Sequence, residues 1–222
     1  MPENSGSIVN IDGRLRRSSA LATKEKILQA AVAEIADRGY ERARLVDIAG
    51  RADLTVGSVY TWFKNKSELF NAALEYSLAQ QQEKNLAFAD SDAARELETE
   101  PNSHWLVLIA MLAPRHMIFD KGPTDAQKLL IEALKSAWRD EESYDTVRPQ
   151  IAKLLDQYKA IIENAMESGS IDNALDAGLL ARLFIAFPVG LSLLTLSGLP
   201  DPDPAEFLPF FQRFDKTLRP QE

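Results

Sequence analysis

The side chains best suited to chemistry form a group of basic, hydroxyl and aromatic residues in the first third of the chain. They are Arg44, Thr55, Ser58, Tyr60, Thr61, Trp62 and Lys66. Cations and hydroxyls of this kind donate hydrogen bonds to the phosphate oxygens and base edges of DNA. Val56 and Gly57, which lie among them, are small enough to let a backbone approach a DNA groove closely. The segment therefore predicts contact with double-stranded DNA.

Other chemistries have little support. The chain has no cysteine, which removes disulfides, thiolate metal sites and thiol nucleophiles. Its two histidines, His104 and His116, lack neighbours at metal-ligand spacing, so we expect neither a metal site nor a cofactor. Since no GxSxG, P-loop, HExxH or dinucleotide-binding glycine pattern occurs, we expect that the protein is not an enzyme.

Charge is divided unevenly along the chain. The net charge is −8, yet residues 1–66 hold eleven Lys and Arg against eight Asp and Glu, and the remainder holds 14 against 25. An acidic body behind a mildly basic head favours one DNA-facing surface, although ordinary scatter of surface charge gives a similar division. The N-terminus lacks the apolar stretch of a signal peptide, so we expect the protein in the cytoplasm.

The segments that must position these side chains are predicted to be short helices. Apolar spacing and breaker residues predict a helix over residues 23–39, a second over 45–52 and a third over 56–63. Thr55 is placed to cap the third helix and Asn65 to cap a fourth. Two short helices joined by a tight turn constitute a helix-turn-helix.

Residues 23–70 resemble the DNA-binding domain of the TetR family of transcriptional regulators. The resemblance rests on the segments ILQAAVAEIADRGY, IAGRADLTVGSVYTWF and KNKSELF, in that order and spacing. It implies a homodimer on a palindromic operator, with an all-helical C-terminal domain that dimerises and binds a small-molecule effector. It also implies repression that is relieved when this effector binds.

The resemblance also implies roles for individual residues. In similar proteins the residues matching Thr55, Val56, Gly57 and Ser58 approach bases, and those matching Tyr60, Trp62 and Lys66 bind phosphates. The chain departs from the family pattern at two positions. Arg44 stands where the family usually has Ser or Thr, which removes a helix cap and adds a candidate DNA contact. Asp53 replaces a turn glycine, and aspartate tolerates the left-handed conformation that such a turn requires.

Residues 1–22 predict a flexible basic arm. They are rich in Ser, Asn, Gly and Pro, and their chemical feature is the cluster Arg14, Arg16 and Arg17. The arm could lie in a minor groove or be a functionless tail, since three arginines are a weak signal.

The rest of the chain predicts an all-α fold, with residues 23–70 as the helix-turn-helix domain and 71–222 as the dimerisation and ligand-binding domain. A long helix runs from the head to about residue 89, and later helices are expected over 103–117, 123–139, 144–168, 176–197 and 205–218. No strand pattern or internal repeat is evident in the sequence.

An uncharged run covers residues 183–199. It is short for a bilayer and contains Pro188 and Gly190, so we expect no membrane span. A dimer seam, or packing within one subunit, remains open because periodicity does not distinguish a core from an interface. The seam would include the apolar face of the last helix, namely Phe207, Leu208, Phe210, Phe211 and Phe214.

Large apolar side chains in the C-terminal region could surround a ligand between helices. The candidates are Trp105, Leu108, Met111, Met117, Trp138, Tyr158 and Phe184. Such a pocket would accept a small apolar or aromatic molecule, but each of these residues could equally belong to the core. A helical scaffold that binds a protein partner and no DNA is the alternative to a DNA-binding regulator.

Overall fold

The computed structural model describes residues 9–89, 122–139, 141–201 and 203–220. Every regular element in these ranges is an α-helix, which confirms the predicted all-α fold. The helices are α1 (Val9–Arg38), α2 (Leu45–Arg51), α3 (Val56–Trp62), α4 (Lys66–Ala89), α5 (Asp125–Arg139), α6 (Glu141–Glu167), α7 (Ala177–Leu196) and α8 (Pro204–Leu218).

Side-chain caps and a glycine account for several of the helix ends. The Thr55 side chain accepts a hydrogen bond from the Ser58 amide, and Asn65 Oδ1 accepts one from the Glu68 amide at 2.7 Å, which confirms both predicted caps. Gly39 ends α1 with a φ of 78°, a conformation that costs glycine little. Within the described residues, the predicted helices match the observed ones to within a few residues, apart from the start of α1.

The start of α1 corrects the predicted arm. The helix begins at Val9 rather than after Thr23, so residues 9–22 are helical instead of forming a flexible arm. The Thr23 hydroxyl does not cap the helix, because it donates to the Ser19 carbonyl 2.9 Å away, one turn earlier. Leu, Ala and Arg have high helix propensity, and a helix once formed extends at little cost through such a segment.

The chain divides into two compact units, Met1–Tyr76 and Ser77–Glu222, with the boundary inside α4 rather than at residues 70–71. In the first unit, the fully buried residues Ile27, Ile35, Ile48, Val59 and Leu69 come from all four helices. Burying these apolar side chains stabilises the three-helix head and the first turns of α4 as one core.

The second unit is built on α6, which packs against both α5 and α7. Its core includes Ile162 from α6, Leu180 and Phe184 from α7, and Leu218 at the end of α8. Asp176 caps α7 by accepting from the Leu179 amide at 2.6 Å. Residues 103–117, predicted to form a helix, lie outside the described residues.

One face of α7 is apolar and exposed. Leu179, Leu183 and Leu193 are 57%, 47% and 47% exposed, whereas Phe184 on the opposite face is fully buried. By length and composition alone, α7 would also pass as a membrane-crossing helix, with a mean hydropathy of 2.0. A helix with one face in the core and another apolar face in solvent is typical of a subunit interface.

Candidate nucleic-acid interface

The turn between α2 and α3 fixes how the second helix leaves the first. Asp53 adopts a φ of 57°, which confirms the left-handed conformation predicted for this position. The Leu54 amide then donates to the Ala49 carbonyl at 2.9 Å and closes the turn. One backbone conformation and one backbone hydrogen bond therefore define the turn. They set the orientation of α3 relative to α2 within a few residues.

The short helix α3 has a buried face and a solvent face. Val59 is fully buried and Phe63, just after the helix, is 4% exposed. The solvent face is composed of small and hydroxyl residues together with Tyr60, which is 54% exposed. Thr55, Gly57, Tyr60 and Thr61 are exposed, and Val56, Ser58 and Trp62 are half-buried.

Most hydroxyls on this face already have partners inside the helix. The Thr55 and Ser58 hydroxyl oxygens are 2.9 Å apart, and the Thr61 hydroxyl donates to the Gly57 carbonyl at 3.1 Å. Thr55 Oγ1 also accepts from the Ser58 amide. One hydroxyl proton of the Thr55 and Ser58 pair remains available, so α3 has little capacity for directional hydrogen bonds to bases.

Gly57 keeps the centre of the solvent face flat. A Cβ atom built at this position would meet only the Thr55 hydroxyl oxygen, at 3.7 Å, which is an ordinary contact. The fold itself therefore does not require glycine here. Without a side chain at this position, the α3 backbone is open to close approach by another molecule.

Arg44 lies at the N-cap position of α2 and makes no side-chain cap hydrogen bond. Its side chain is exposed, and within the described part of the chain it has no ion pair or hydrogen-bond partner. Val46, which sequence reasoning missed, is 57% exposed two residues later. Its spacing from the buried Ile48 was the available signal, since residues two apart on a helix face different directions.

Lys66, the first residue of α4, is held by the connection between α1 and α2. Its Nζ donates to the Glu41 carbonyl at 3.1 Å and lies 4.6 Å from the centroid of the Tyr40 ring. Desolvation lowers the pKa of the Lys66 ammonium, although the Glu41 carboxylate opposes this shift. The ammonium has three donors, so this arrangement leaves donors for a phosphate.

A second set of charges joins α1 to α2, and sequence reasoning did not find it. Glu34, only 1% exposed, accepts from Arg51 Nε at 2.7 Å, and Arg51 Nη2 is 2.6 Å from Asp37. The hydrogen bond to Asp37 raises the pKa of the Arg51 guanidinium against the effect of desolvation, and Glu34 raises it further. Only the i, i+4 pair of Glu34 and Arg38 could have been read from the sequence.

Three of the seven ligand-binding candidates lie among the described residues, and their surroundings differ. Phe184 is buried in the core of the second unit, and Tyr158 packs against the same core. Burial raises the pKa of the Tyr158 phenol to about 12. Trp138 is 85% exposed and therefore does not line an interior site, because its position on α5 turns it to solvent. Trp105, Leu108, Met111 and Met117 lie outside the described residues.

Comparison with known proteins supports the assignment of the first unit. The family description "Bacterial regulatory proteins, tetR family" matches residues 27–73. The "Probable acrEF/envCD operon repressor" of Escherichia coli K12 is 38% identical over 55 residues, a match that spans 25% of each chain. The family match at residues 27–73 covers the end of α1, α2, the turn, α3 and the beginning of α4.

Longer matches extend into the second unit. The "Probable HTH-type transcriptional regulator ArpR" of Pseudomonas putida is 30% identical over 184 residues, which cover 80% of this chain and 82% of ArpR. A TetR-family transcriptional regulator from Cytophaga hutchinsonii aligns with a TM-score of 0.67 at 15% identity, over 92% of this chain and 98% of that one. The fold of both units is therefore shared with proteins of this kind.

Proposed function

Because this chain belongs to the TetR family, whose members are DNA-binding transcriptional regulators and not enzymes, we propose that it is a homodimeric cytoplasmic repressor. In this proposal it binds a palindromic operator and is released by a small apolar or aromatic effector. The observation that carries the proposal is the solvent face of α3. This face is flat at Gly57, presents hydroxyls and Tyr60, and lies on a helix fixed by the Asp53 turn.

Affinity and sequence choice come from different side chains in this proposal. Tyr60, Trp62 and Lys66 contact phosphates, and Thr55, Val56, Gly57, Ser58 and Thr61 lie against the bases. The α3 sequence from Val56 to Trp62 has no Arg, Lys, Asn or Gln, the side chains that make strong bidentate contacts to purines. Sequence choice therefore depends on Arg44, on contact between Val56 and thymine methyls, and on DNA shape.

The helical form of residues 9–22 changes the proposed role of the basic cluster. An α-helix with side chains is about 10–12 Å across, whereas the minor groove is only about 6 Å wide. As a helix, this segment would contact the phosphate backbone rather than enter a minor groove. Arg14, Arg16 and Arg17 would then add affinity that depends on salt and not on sequence.

Dimerisation through α7 accounts for its exposed apolar face. Leu179, Leu183 and Leu193 repeat at helical spacing, and Phe210 on α8 is also exposed, at 56%. A second copy of the chain can cover such a face symmetrically, and two heads then read two half-sites about 34–36 Å apart. The side chains of Phe207, Leu208 and Phe211 lie outside the described part of the structure.

Effector binding belongs to the second unit in this proposal. Tyr158 and Phe184 share the α6 and α7 core, and the phenol of Tyr158 is a polar group that could orient an apolar ligand. α4 is continuous across the boundary between the units. If ligand binding weakens DNA binding by some factor, DNA must weaken ligand binding by the same factor.

The experiment that tests the proposal is selection of genomic fragments by the purified full-length protein, followed by binding titrations at several salt concentrations. We expect recovered fragments to share an inverted repeat with half-site centres about 10 base pairs apart. We also expect affinity for the recovered repeat to exceed that for random duplex. Absence of salt-dependent binding to any duplex would contradict the proposal and favour the helical scaffold that binds a protein partner.

A further inference from the structure

The charged cluster between α1 and α2 is the feature of the head that DNA contact leaves unexplained. It comprises Glu34, Asp37 and Arg38 on α1, and Asp47 and Arg51 on α2. We call these five residues the α1–α2 charge cluster. Three carboxylates outnumber two guanidinium groups, so the cluster does not add positive charge to the head.

Arg51 is at the centre of this cluster. Its Nε lies 2.7 Å from Glu34 Oε2 and its Nη2 lies 2.6 Å from Asp37 Oδ2, so two carboxylates occupy two edges of one guanidinium. Arg38 Nε lies 3.0 Å from the other Glu34 oxygen. Glu34 is 1% exposed and Arg51 is 38% exposed, so the carboxylate lies inside the head and the guanidinium covers it from the surface.

The ion pair between Arg51 and Glu34 affects the position of α3 as well as the contact between α1 and α2. Arg51 is the last residue of α2, and the chain passes from it through Asp53 directly into the cap of α3. A shift of α2 along α1 would therefore move α3 by a similar amount. Ion pairs with a buried partner often add little net stability, because desolvation offsets their attraction, but in some proteins they select one arrangement over its neighbours.

We infer that Arg51 and Glu34 form a positioning pair that holds α2, and through it α3, in the register needed to discriminate operator from other DNA. In this role Arg51 acts through Glu34 and does not contact phosphate. The inference rests on the proposed function, since it concerns how the same interface distinguishes DNA sequences. It differs from a role in stability alone, which would not alter discrimination in a fully folded protein.

The test compares Arg51→Met with Arg44→Met in the full-length protein, using the selected operator and random duplex. For Arg51→Met we expect the ratio of operator to random affinity to fall by about tenfold, with no change in the salt dependence of random binding. Arg44→Met shows how the loss of a phosphate contact would look. Arg44, at the N-cap of the same helix, is exposed and has no ion-pair partner among the described residues. Its loss should reduce the slope of log affinity against log salt by about 0.9.

A double variant keeps the test valid if Arg51→Met does not fold. Glu34→Met/Arg51→Met removes both charges together, so no carboxylate is left buried without its nearest cation. We expect it to fold and bind random duplex like the wild type, as judged by circular dichroism and titration, but to show the same loss of discrimination. Folding accompanied by an unchanged affinity ratio would overturn the inference.

A reduced salt slope in Arg51→Met would also overturn it, because the guanidinium would then be a phosphate contact. These failures differ from failure of the proposed function. If the wild type shows no salt-dependent binding to any duplex, the proposed function is wrong. If the wild type discriminates and the variants discriminate equally well, only the positioning role is wrong.

Discussion

The ammonium of Lys66 lies 4.6 Å from the centroid of the Tyr40 ring, at the point where the connection between α1 and α2 meets the start of α4. Tyr40 in turn lies against Phe70, with ring centroids 4.5 Å apart. The Glu41 carbonyl, 3.1 Å from Nζ, completes the surroundings of the cation. Lys66 therefore holds two segments of the head together as well as being a candidate phosphate contact.

Lys66→Ala should weaken operator and random DNA to a similar degree and reduce the salt slope by about 0.9. It should also lower the free energy of unfolding by about 1 kcal/mol, since a cation and aromatic ring contact contributes on that order. Fluorescence titrations at several salt concentrations measure the first effect and urea unfolding the second. Tyr40→Leu is the control, because it removes the ring and keeps the ammonium. A wild-type salt slope in Lys66→Ala would limit this residue to a structural role.

Gly57→Ala should move stability and DNA binding in opposite directions. The added Cβ meets only an ordinary 3.7 Å contact, and alanine favours a helix over glycine by about 0.8–1 kcal/mol. Thermal unfolding should therefore show an equal or higher melting temperature. Operator affinity should nevertheless fall, because the methyl group holds α3 away from the groove. Unchanged operator affinity would show that Gly57 does not face DNA.

Arg44→Ala should reduce both the salt slope and the ratio of operator to random affinity, because the side chain is exposed and carries no cap hydrogen bond. Arg42→Ala is the matched control, since Arg42 Nε donates to the Arg38 carbonyl at 3.1 Å and is directed towards the end of α1. The measurement is a titration of both duplexes at several salt concentrations. If the two variants behave alike, Arg44 has no special role.

Leu183→Glu should prevent dimerisation. The side chain is 47% exposed on the apolar face of α7, and a carboxylate there would be desolvated without a partner in a dimer. Sedimentation should give a mass near the 24.7 kDa of one chain, whereas the wild type should give about twice that value. Lys159→Glu is the control, because it introduces the same carboxylate at an exposed position on α6 instead of on the apolar face of α7. A dimeric Leu183→Glu variant would place the interface elsewhere.

Tyr158→Phe should make stability less sensitive to alkaline pH. Burial raises the phenol pKa to about 12, above the value of about 10 in an unfolded chain. The folded state therefore retains a proton that the unfolded state loses, and stability falls as the pH rises from about 10 to 12. Urea unfolding at pH 8 and pH 11 should show a smaller loss in Tyr158→Phe than in the wild type. Equal losses would mean that this phenol ionises normally when folded.

The sequence by itself determined those features that depend on neighbours within a few residues. Thr55 and Asn65 cap their helices through amides three residues away, and Asp53 takes the left-handed conformation expected of a turn. Apolar spacing also placed Val59 and Phe63 inside. The helix-turn-helix and the all-α fold could be predicted because caps, breakers and periodicity are local.

Tertiary structure alone decided which charged and aromatic side chains meet. Arg51 pairs with Glu34 from 17 positions earlier, and Lys66 reaches the carbonyl of Glu41 from 25 positions later. The packing of the second unit leaves Trp138 exposed and buries Phe184, although both are large aromatic residues. Composition and spacing do not encode such outcomes, because they depend on how separate helices cross and on which faces those crossings cover.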